Sequence, residues 1–379
     1  MDSDASKDPE TRRLPNERLN DMYYRTYINQ TNFIQYTVDD LYNNVAQPTD
    51  GFTNTQTIRV ENIPPAWLNN SQTYNQTLTT FFDNHPVDVV YTQYHIPKHS
   101  GGYRLISAPS DELKEVQKEL YTLLYKMGAY AHDAAYAYVK ERTCLQAIQK
   151  HRDNNTEYFY KFDLDNFFPS CTTQLLKEQL KQVYPFCMFT EENLNKIIHI
   201  ATYNNVLPQG SSLSPLLCNM VLLPFDWHMF YSIKHFDGVY TRYADDILIS
   251  FKYRKELNFV ARIIARHLPT GLTLNTDKSR CGSIKGHNYN LGLVLNKDHN
   301  ITIGHKRKME LKAKINNFIF DFTNRNYWSI IETQVLQGEL NYFKQIEPQY
   351  AAFVIQRLES KHHSPSITSM FADIIAGRV

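Results

Sequence analysis

Short apolar runs, some alternating with polar residues and some continuous, recur between residues 89 and 303 and are typical of β-strands. Turn-forming residues separate these runs, so we expect the strands to pair as antiparallel hairpins. The pattern predicts strands or hairpins over 89–97, 105–106, 158–163, 240–250, 273–283, 291–295 and 301–303.

Other segments repeat apolar residues every three or four positions, which indicates amphipathic helices. One predicted helix follows Ser110, whose hydroxyl is placed to cap it, and ends at Gly128. Helices are also predicted over 190–202 and within 251–268, and the chain becomes helical from His305 onward. The apolar faces of the first and last helices are formed by Leu113, Val116, Leu120, Leu124 and Met127, and by Leu311, Ile315, Phe318 and Phe322.

The composition fits a globular protein and excludes several other classes. The 379 residues are 42% hydrophobic, and the net charge of +1 gives no argument for nucleic-acid binding from bulk charge. No run of 18 apolar residues is present, so we expect no membrane span, and the polar N-terminus is unlike a signal peptide. Five scattered cysteines without a C-x-x-C pair favour a reducing, cytoplasmic location.

Three carboxylates stand at the ends of predicted strands. Asp163 ends the strand over 158–163, and Asp245 and Asp246 lie at the turn of the hairpin over 240–250. If the strands are neighbours, Asp163 and Asp245 can bridge two Mg²⁺ ions, because hard cations prefer carboxylate oxygens. Asp246 completes the candidate metal site but points to the other face of the pleat, so we expect it to support the site. Mn²⁺ is an alternative ion, and paired aspartates are also ordinary turn chemistry.

Two loops and one helix carry side chains suited to nucleotides or nucleic acid. The Gln209 amide can bond a sugar or base, and Gly210 permits close backbone approach. A generic loop is the alternative for both. The remaining candidates are basic residues, for which a solvated surface is the alternative: Lys98 and Arg104 at a hairpin tip for triphosphate oxygens, and Lys308 and Lys312 on one face of the C-terminal helix for a duplex backbone.

From about Tyr94 to Tyr350 the chain resembles bacterial reverse transcriptases, above all those of retrons and anti-phage defence systems. The motifs that carry the resemblance are Ile96 to Pro109, Asp163 to Ser170, Leu207 to Pro215, Tyr243 to Asp246, Leu291 to Asn296, Gln337 to Tyr342 and Ile346 to Pro348. Retron enzymes usually carry Val-Thr-Gly where this chain has Asn290-Leu291-Gly292. That departure favours a defence-associated enzyme over a strict retron enzyme.

The resemblance implies roles for particular residues. Phe168, five residues after Asp163, would stack under the incoming sugar and exclude a 2′-hydroxyl. Lys278 would lie near the pyrophosphate as a general acid, and Leu291 and Gly292 would belong to the hairpin that grips the primer. A core phenylalanine and a surface lysine are the alternatives for Phe168 and Lys278.

The implied fold is α+β, a right-hand polymerase with fingers, a palm made of an antiparallel sheet with helices, and a helical thumb. The expected boundaries are a disordered tail over 1–16, an N-terminal extension over 17–85, fingers over 86–160, a palm over 161–304 with a finger insertion around 171–215, and a thumb over 305–379. The extension is expected either to recognise RNA or to brace the fingers.

The expected activity is RNA-directed DNA synthesis from dNTPs, with a dedicated non-coding RNA as partner and DNA as product, in anti-phage defence. Three alternatives stay open: a retron enzyme that makes a branched RNA–DNA hybrid, an enzyme that makes DNA without a template, and an inactive RNA-binding scaffold. A protein partner or a homo-oligomer is compatible with the sequence.

Overall fold

The structure is a computed structural model and describes residues 65–97, 101–286 and 288–378. The predicted tail over 1–16 and most of the predicted extension over 17–85 lie outside these residues. Two compact units are present and are treated separately below. The first comprises the described part of Met1–Glu141 with Tyr160–Ile249 and Lys255–Arg280, and the second comprises Arg142–Phe159, Ser250–Arg254 and the described part of Cys281–Val379.

The described elements include most of the predicted strands and helices, together with helices that the apolar pattern did not predict, such as Cys144–Asp153, Thr173–Leu180 and Leu223–His235. As far as the candidate hairpin the elements are α1 (Pro65–Asn84), β1 (Tyr91–Pro97), β2 (Tyr103–Pro109), α2 (Asp111–Lys126), α3 (Cys144–Asp153), β3 (Tyr158–Asp163), α4 (Phe167–Ser170), α5 (Thr173–Leu180), α6 (Glu191–Ala201), α7 (Ser214–Val221), α8 (Leu223–His235), β4 (Val239–Tyr243) and β5 (Asp246–Phe251). They continue with α9 (Leu257–His267), β6 (Arg280–Ser283), β7 (Tyr289–Asn290), β8 (Leu293–Leu295), β9 (Ile301–Thr302), α10 (His305–Thr323), α11 (Ile330–Ile346), α12 (Pro348–His362) and α13 (Ile367–Ile375).

A four-stranded sheet in the order β4-β5-β3-β6 carries the candidate carboxylates. Strand β3 has the predicted bounds, and β4 and β5 form the predicted hairpin. Strand β5 is buried from Ile247 to Phe251, and its continuous apolar run fits a strand that is covered on both faces. Helix α8 packs on β4. Strands β1 and β2 form a separate antiparallel hairpin in which Ile96 faces Arg104.

Helix α2 begins as predicted, because the Ser110 hydroxyl accepts a hydrogen bond from the Leu113 N–H over 3.3 Å. Acidic residues in its first turn favour the positive end of the helix dipole. Leu120 and Leu124 are fully buried, as expected. Gln117 is also fully buried and Val116 only partly so, because the Gln117 amide finds polar partners inside the unit.

The described end of the N-terminal extension, helix α1, is held against the segment before α6. The Asn75 side chain accepts a hydrogen bond from the Thr190 N–H over 2.7 Å and donates to the Met188 carbonyl over 2.9 Å. The amide of Asn193 donates to Asn75 over 3.0 Å, and the Ser71 hydroxyl donates to Met188 over 2.7 Å. These contacts favour a bracing role for α1.

The second unit contains a small antiparallel sheet, β7-β8-β9, on which α3 packs. The predicted hairpin over 291–303 is thus present with one more strand. Helix α10 buries Leu311, Ile315 and Phe318 as predicted, while Ile319 is more deeply buried than Phe322. Helices α11, α12 and α13 pack around one another. Across the residues described here, no helix is both long and apolar enough to cross a membrane.

We expect Asn75→Ala to lower the free energy of unfolding by about 1–3 kcal/mol, because the Thr190 N–H and the Asn193 amide lose their acceptor. Gln72→Ala, an exposed position on the same helix, should change it by less than about 0.5 kcal/mol. Urea unfolding of both variants measures the difference, and equal losses would show that α1 is not fixed through Asn75.

Candidate active site

The predicted carboxylates meet at one end of the four-stranded sheet. Strands β3 and β5 are neighbours, and the Leu164 N–H donates to the Asp245 carbonyl over 3.1 Å. Asp163 therefore lies beside the turn that carries Asp245. Asp163 is 9% exposed, and Asp245 and Asp246 are partly exposed.

The turn between β4 and β5 consists of Ala244 and Asp245, and Ala244 has a left-handed φ of 57°. This conformation costs an L-residue about 1–2 kcal/mol. The Ala244 carbonyl accepts a hydrogen bond from the Arg242 guanidinium over 2.9 Å, which helps to hold the turn. Strained residues that are held by their neighbours are frequent at functional sites.

Burial raises the pKa of Asp245 above its ordinary value, and the charges of Asp163 and Asp246 raise it further. The ammonium group of Lys278 acts in the opposite direction on the pKa of Asp245. Like charges within a few ångströms disfavour ionisation of either group. This end of the sheet therefore concentrates negative charge.

Two lysines are paired with the other carboxylates. Lys278 Nζ donates to Asp163 Oδ2 over 2.8 Å, and Lys161 Nζ lies 2.8 Å from Asp246 Oδ1. The hydrogen bond to Asp163 raises the pKa of Lys278, so the ammonium form is favoured. Asp246 is thus paired with a different lysine from Asp163.

The chain after α9 brings Lys278 to Asp163. The Asn275 N–H donates to the Asp163 carbonyl over 2.8 Å, so the two segments lie side by side. The Asn275 side chain then caps a short 3-10 helix, Thr276–Lys278, by accepting a bond from the Lys278 N–H. The Lys278 side chain is nevertheless 64% exposed.

Asp163 and Asp245 fit a divalent metal by their donor chemistry. Mg²⁺ is usually bound by one or two carboxylates, and water and substrate phosphates complete its coordination. Within the described ranges, no three His, Cys, Asp or Glu side chains form a complete metal-binding group.

The loop that contains Gln209 and Gly210 lies against β2. The Ser107 N–H donates to the Gln209 carbonyl over 2.8 Å. Gly210 has a φ of 126°, and a Cβ atom there would lie 2.5 Å from the Ser107 carbonyl oxygen. The close approach of the loop to β2 therefore requires glycine at this position. The nearest atoms belong to the Ser107 backbone, whereas the prediction concerned the approach to a nucleotide. Gln209 Oε1 is buried and has no hydrogen-bond partner in the described structure.

Gln117 fixes the same loop from helix α2. Its Oε1 accepts hydrogen bonds from the Ser211 hydroxyl over 2.9 Å and from the Ser212 N–H over 3.3 Å. Its Nε2 donates to the Tyr91 hydroxyl over 2.7 Å and to the Ile200 carbonyl over 2.9 Å. One buried amide therefore joins β1, α2, α6 and the loop.

The other predicted nucleotide contacts are Arg104, Lys98 and Phe168. Arg104 is exposed on β2, and Lys98 lies outside the described residues. Phe168 is partly buried in α4, with its ring 5.8 Å from that of Phe167. Phe167 is 3% exposed, so it is the core member of the pair, whereas Phe168 is only partly buried.

Two further residues at the site escaped the sequence analysis. Tyr138 is 47% exposed and has a left-handed φ of 62°. Partial burial raises the pKa of Tyr138 to about 12, with Cys218 and Asp245 adding to the shift and Arg104 opposing it. The hydroxyl is thus within electrostatic reach of Asp245. Lys161 could have been found, because alternation along β3 places it on the face of Asp163.

The predicted primer and template residues lie in the second unit. Leu291 and Gly292 form the turn between β7 and β8, and both have left-handed φ values. Lys308 is ion-paired with Glu347 over 2.5 Å, and its side chain is only 19% exposed. Lys312 is partly exposed. Arg307 is exposed, and its guanidinium lies 5.2 Å from the centre of the Tyr342 ring.

Comparison with known proteins agrees with this geometry. The reverse transcriptase (RNA-dependent DNA polymerase) family matches residues 96–311, more than half of the chain. The chain belongs to the reverse transcriptase family. The enzyme is 30% identical over 293 residues to the Retron Ec83 reverse transcriptase of Escherichia coli, a match that covers 74% of this chain and 89% of that protein. It is 25% identical over 283 residues to the Retron Ec73 reverse transcriptase of the same species, covering 68% and 84%.

These findings make the enzyme a bacterial retron-type reverse transcriptase and an RNA-directed DNA polymerase with a right-hand polymerase fold, as predicted. Solved telomerase structures are similar at a lower level. The apo telomerase of Candida tropicalis has a TM-score of 0.44 at 14% identity, covering 82% of this chain and 68% of that one. The telomerase of Candida albicans, in complex with a telomeric RNA fragment, has a TM-score of 0.41 at 10% identity, covering 81% and 65%. At these scores the telomerases add nothing to the argument.

We expect Gly210→Ala to lower the free energy of unfolding by about 1–3 kcal/mol more than Gly271→Ala, because only the first adds a Cβ that collides with backbone. Both glycines have positive φ, and a Cβ at Gly271 would have no neighbour within 4 Å. Gly271→Ala therefore isolates the conformational cost. Chemical denaturation measures both values, and equal values would contradict the contact with Ser107.

Proposed function

We propose that Asp163 and Asp245 hold two Mg²⁺ ions, or Mn²⁺ in their place, during DNA synthesis, and that Asp246 supports them. The observation behind this proposal is that three carboxylates meet at the ends of neighbouring strands, where burial and like charges raise the pKa of Asp245. Bound ions would activate the primer 3′-hydroxyl and neutralise the leaving pyrophosphate.

Lys278 is the proposed general acid of this reaction. Its hydrogen bond with Asp163 raises its pKa, so it is protonated at neutral pH. A positioned ammonium group can give a proton to the pyrophosphate as the new bond forms. The side chain is 64% exposed, which leaves it room to turn from Asp163 towards a bound triphosphate.

The incoming nucleotide is proposed to contact both the β1–β2 hairpin and the Gln209 loop, which lie against each other. Arg104 and Lys98 would bind triphosphate oxygens, for which a guanidinium fork is well suited. The buried Gln209 Oε1 has no partner in the described structure, so it can accept a bond from a sugar hydroxyl. Gly210 keeps the loop against Ser107. The partly exposed ring of Phe168 would exclude a 2′-hydroxyl.

Primer and template are proposed to contact the second unit through Leu291, Gly292 and the start of α10. Lys312 keeps its predicted role as a contact to the phosphate backbone. Lys308 is held by Glu347, so a phosphate would have to displace that carboxylate. Exposed Arg307 is therefore a better candidate than Lys308.

The template is proposed to be a dedicated non-coding RNA, and the product a branched RNA–DNA hybrid made in the cytoplasm for anti-phage defence. The retron enzymes among its relatives favour this role over untemplated synthesis, despite the departure at Asn290-Leu291-Gly292. An inactive scaffold is disfavoured, because binding RNA gives no reason to collect three repelling carboxylates.

Sequencing of the nucleic acid that copurifies with the enzyme tests this role. A branched product predicts DNA that keeps a short ribonucleotide remnant after exhaustive RNase digestion and that is complementary to the copurified RNA. DNA without attached ribonucleotides would exclude the branch, and DNA without complementarity would favour untemplated synthesis.

We expect Asp245→Asn to abolish dNTP incorporation on an annealed DNA primer and RNA template while the melting temperature stays equal or rises. Because the folded-state pKa of Asp245 is raised, ionisation costs stability once the pH exceeds its ordinary pKa, and this cost is complete above the raised pKa. Asparagine removes that cost at pH 7. Incorporation assays and thermal melting of the same preparation provide both results.

Asp277→Asn is the matched control for Asp245→Asn. Asp277 is an exposed aspartate next to Lys278, and its variant should keep both activity and melting temperature. Normal incorporation by folded Asp245→Asn would overturn the assignment of the site.

We expect Phe168→Ala to raise ribonucleotide incorporation relative to deoxynucleotide incorporation by about 10-fold or more, since a lost steric contact of about 1.4 kcal/mol gives that factor. Phe167→Leu, at the buried neighbour, should lower stability without changing the ratio. Single-nucleotide insertion kinetics with dNTP and rNTP give kcat/KM for each. An unchanged ratio in active Phe168→Ala would make Phe168 a packing residue.

A further inference from the structure

A fully buried ion pair lies behind the turn that carries Asp245. The side chains of Arg242 in β4 and Asp226 in α8 have no exposed surface. Arg242 Nε donates to Asp226 Oδ1 over 2.8 Å, and Nη2 donates to Oδ2 over 2.6 Å. Burial alone would lower the pKa of Arg242, but the Asp226 carboxylate outweighs it and raises the pKa. The guanidinium therefore keeps its charge.

The other side of the same guanidinium reaches the catalytic turn. Arg242 Nη1 donates to the Ala244 carbonyl over 2.9 Å. Ala244 is the residue with left-handed φ that directly precedes Asp245. A planar guanidinium can bind a carboxylate with one edge and a carbonyl with another, whereas a lysine ammonium cannot span both.

The network also holds the segment that ends in Tyr138. The Arg242 N–H donates to the Ala134 carbonyl over 2.7 Å, and the Arg242 carbonyl accepts from the Tyr136 N–H over 2.8 Å. Asn219, which accepts a bond from Arg242 Nη2 over 3.1 Å, donates to the Ala137 carbonyl over 3.0 Å. Arg242 thus connects α7, α8, the catalytic turn and this segment.

We propose that Arg242 is a positioning residue for DNA synthesis, which sets the place of Asp245 relative to Asp163 by holding the Ala244 carbonyl. This inference rests on the proposed role of Asp245. A role in stability alone would not require the bond to Ala244, since apolar side chains of similar volume often replace a buried ion pair without loss. The hydrogen bond from Arg242 is accepted by Ala244, the residue of the turn with left-handed φ. Loss of this bond would let the backbone of the turn relax.

The decisive variant removes the buried ion pair and the Tyr240 hydroxyl at once, as Asp226→Leu, Tyr240→Phe and Arg242→Met together. Tyr240 is included because its hydroxyl donates to Asp226, and a lone buried charge or hydroxyl would itself destabilise the fold. We expect Arg242→Met alone to melt well below wild type and the triple variant to recover most of that loss. The triple variant should still lose about 100-fold in kcat, because small misplacement of a catalytic group has effects of that size.

A second readout reports on the turn itself. Hydrogen exchange of the peptide over residues 240–250 should be faster in the triple variant, while exchange over α2 should be unchanged. The KM for dNTP should change less than kcat, because the proposed nucleotide contacts lie on other segments. A folded triple variant with wild-type kcat and wild-type exchange over 240–250 would overturn the proposal.

Arg242→Lys keeps the test decisive if the triple variant does not fold. Lysine retains the charge opposite Asp226 but cannot also bind Ala244, so we expect a folded protein with about 10-fold to 100-fold lower kcat. Full activity of Arg242→Lys would also overturn the proposal. Arg262→Lys, at an exposed arginine on α9, is the matched control and should behave as wild type.

Asp245→Asn is assayed in parallel to separate the two proposals. If Asp245→Asn is inactive while the Arg242 variants are fully active, the metal site stands and the positioning role falls. If Asp245→Asn is active, the proposed metal site falls, and the positioning role falls with it.

Discussion

Mutual repulsion among Asp163, Asp245 and Asp246 is the constraint on which the arrangement of the first unit depends. Neighbouring strands bring the carboxylates together. Lys278 forms an ion pair with Asp163, and Lys161 forms one with Asp246. The pKa of Asp245 is raised by burial and by the other two charges. Ion pairs at partly exposed positions contribute little stability, so the sheet and its buried surroundings must hold the three groups in place. The hydrogen bonds that act directly on the turn of Asp245 are the Leu164–Asp245 backbone bond and the Arg242–Ala244 bond.

The same need for a fixed position applies to the Gln209 loop. A loop that contacts a nucleotide must hold its position before the nucleotide arrives, because ordering it during binding would reduce affinity. Gln117 and Ser107 hold the Gln209 loop at two points, one through a buried amide and one through backbone. Ser107 lies in β2 together with Arg104, and Gln117 lies in α2, which follows β2 directly. The proposed triphosphate contact and the proposed sugar contact are therefore parts of one connected structure.

The sequence was informative where the signal is local. Strand β3, the hairpin of β4 and β5 and the capped start of α2 follow from apolar patterns and side-chain chemistry within a few residues, so their bounds were predictable. Gln117 was missed because its partners in the loop are more than 90 positions away in the chain. The ion pair of Lys308 could not be predicted, because its partner Glu347 lies far along the chain, between α11 and α12. Periodicity reports which face of an element is buried but not which distant polar group will meet it there.

Arg242 shows how such a residue can still be recognised from the sequence. It lies in β4, two residues before Ala244, at a position where an unpaired arginine would be very costly to bury. Burial of Arg242 therefore requires a carboxylate from another element. Asp226, in the preceding helix, requires a cation for the same reason. A buried arginine and a buried aspartate in neighbouring elements therefore predict an ion pair with each other. Their spacing in the sequence alone would not predict it. Because the remaining guanidinium donors also require acceptors, such a pair fixes any carbonyl within its reach, and in this enzyme that carbonyl belongs to the residue before Asp245.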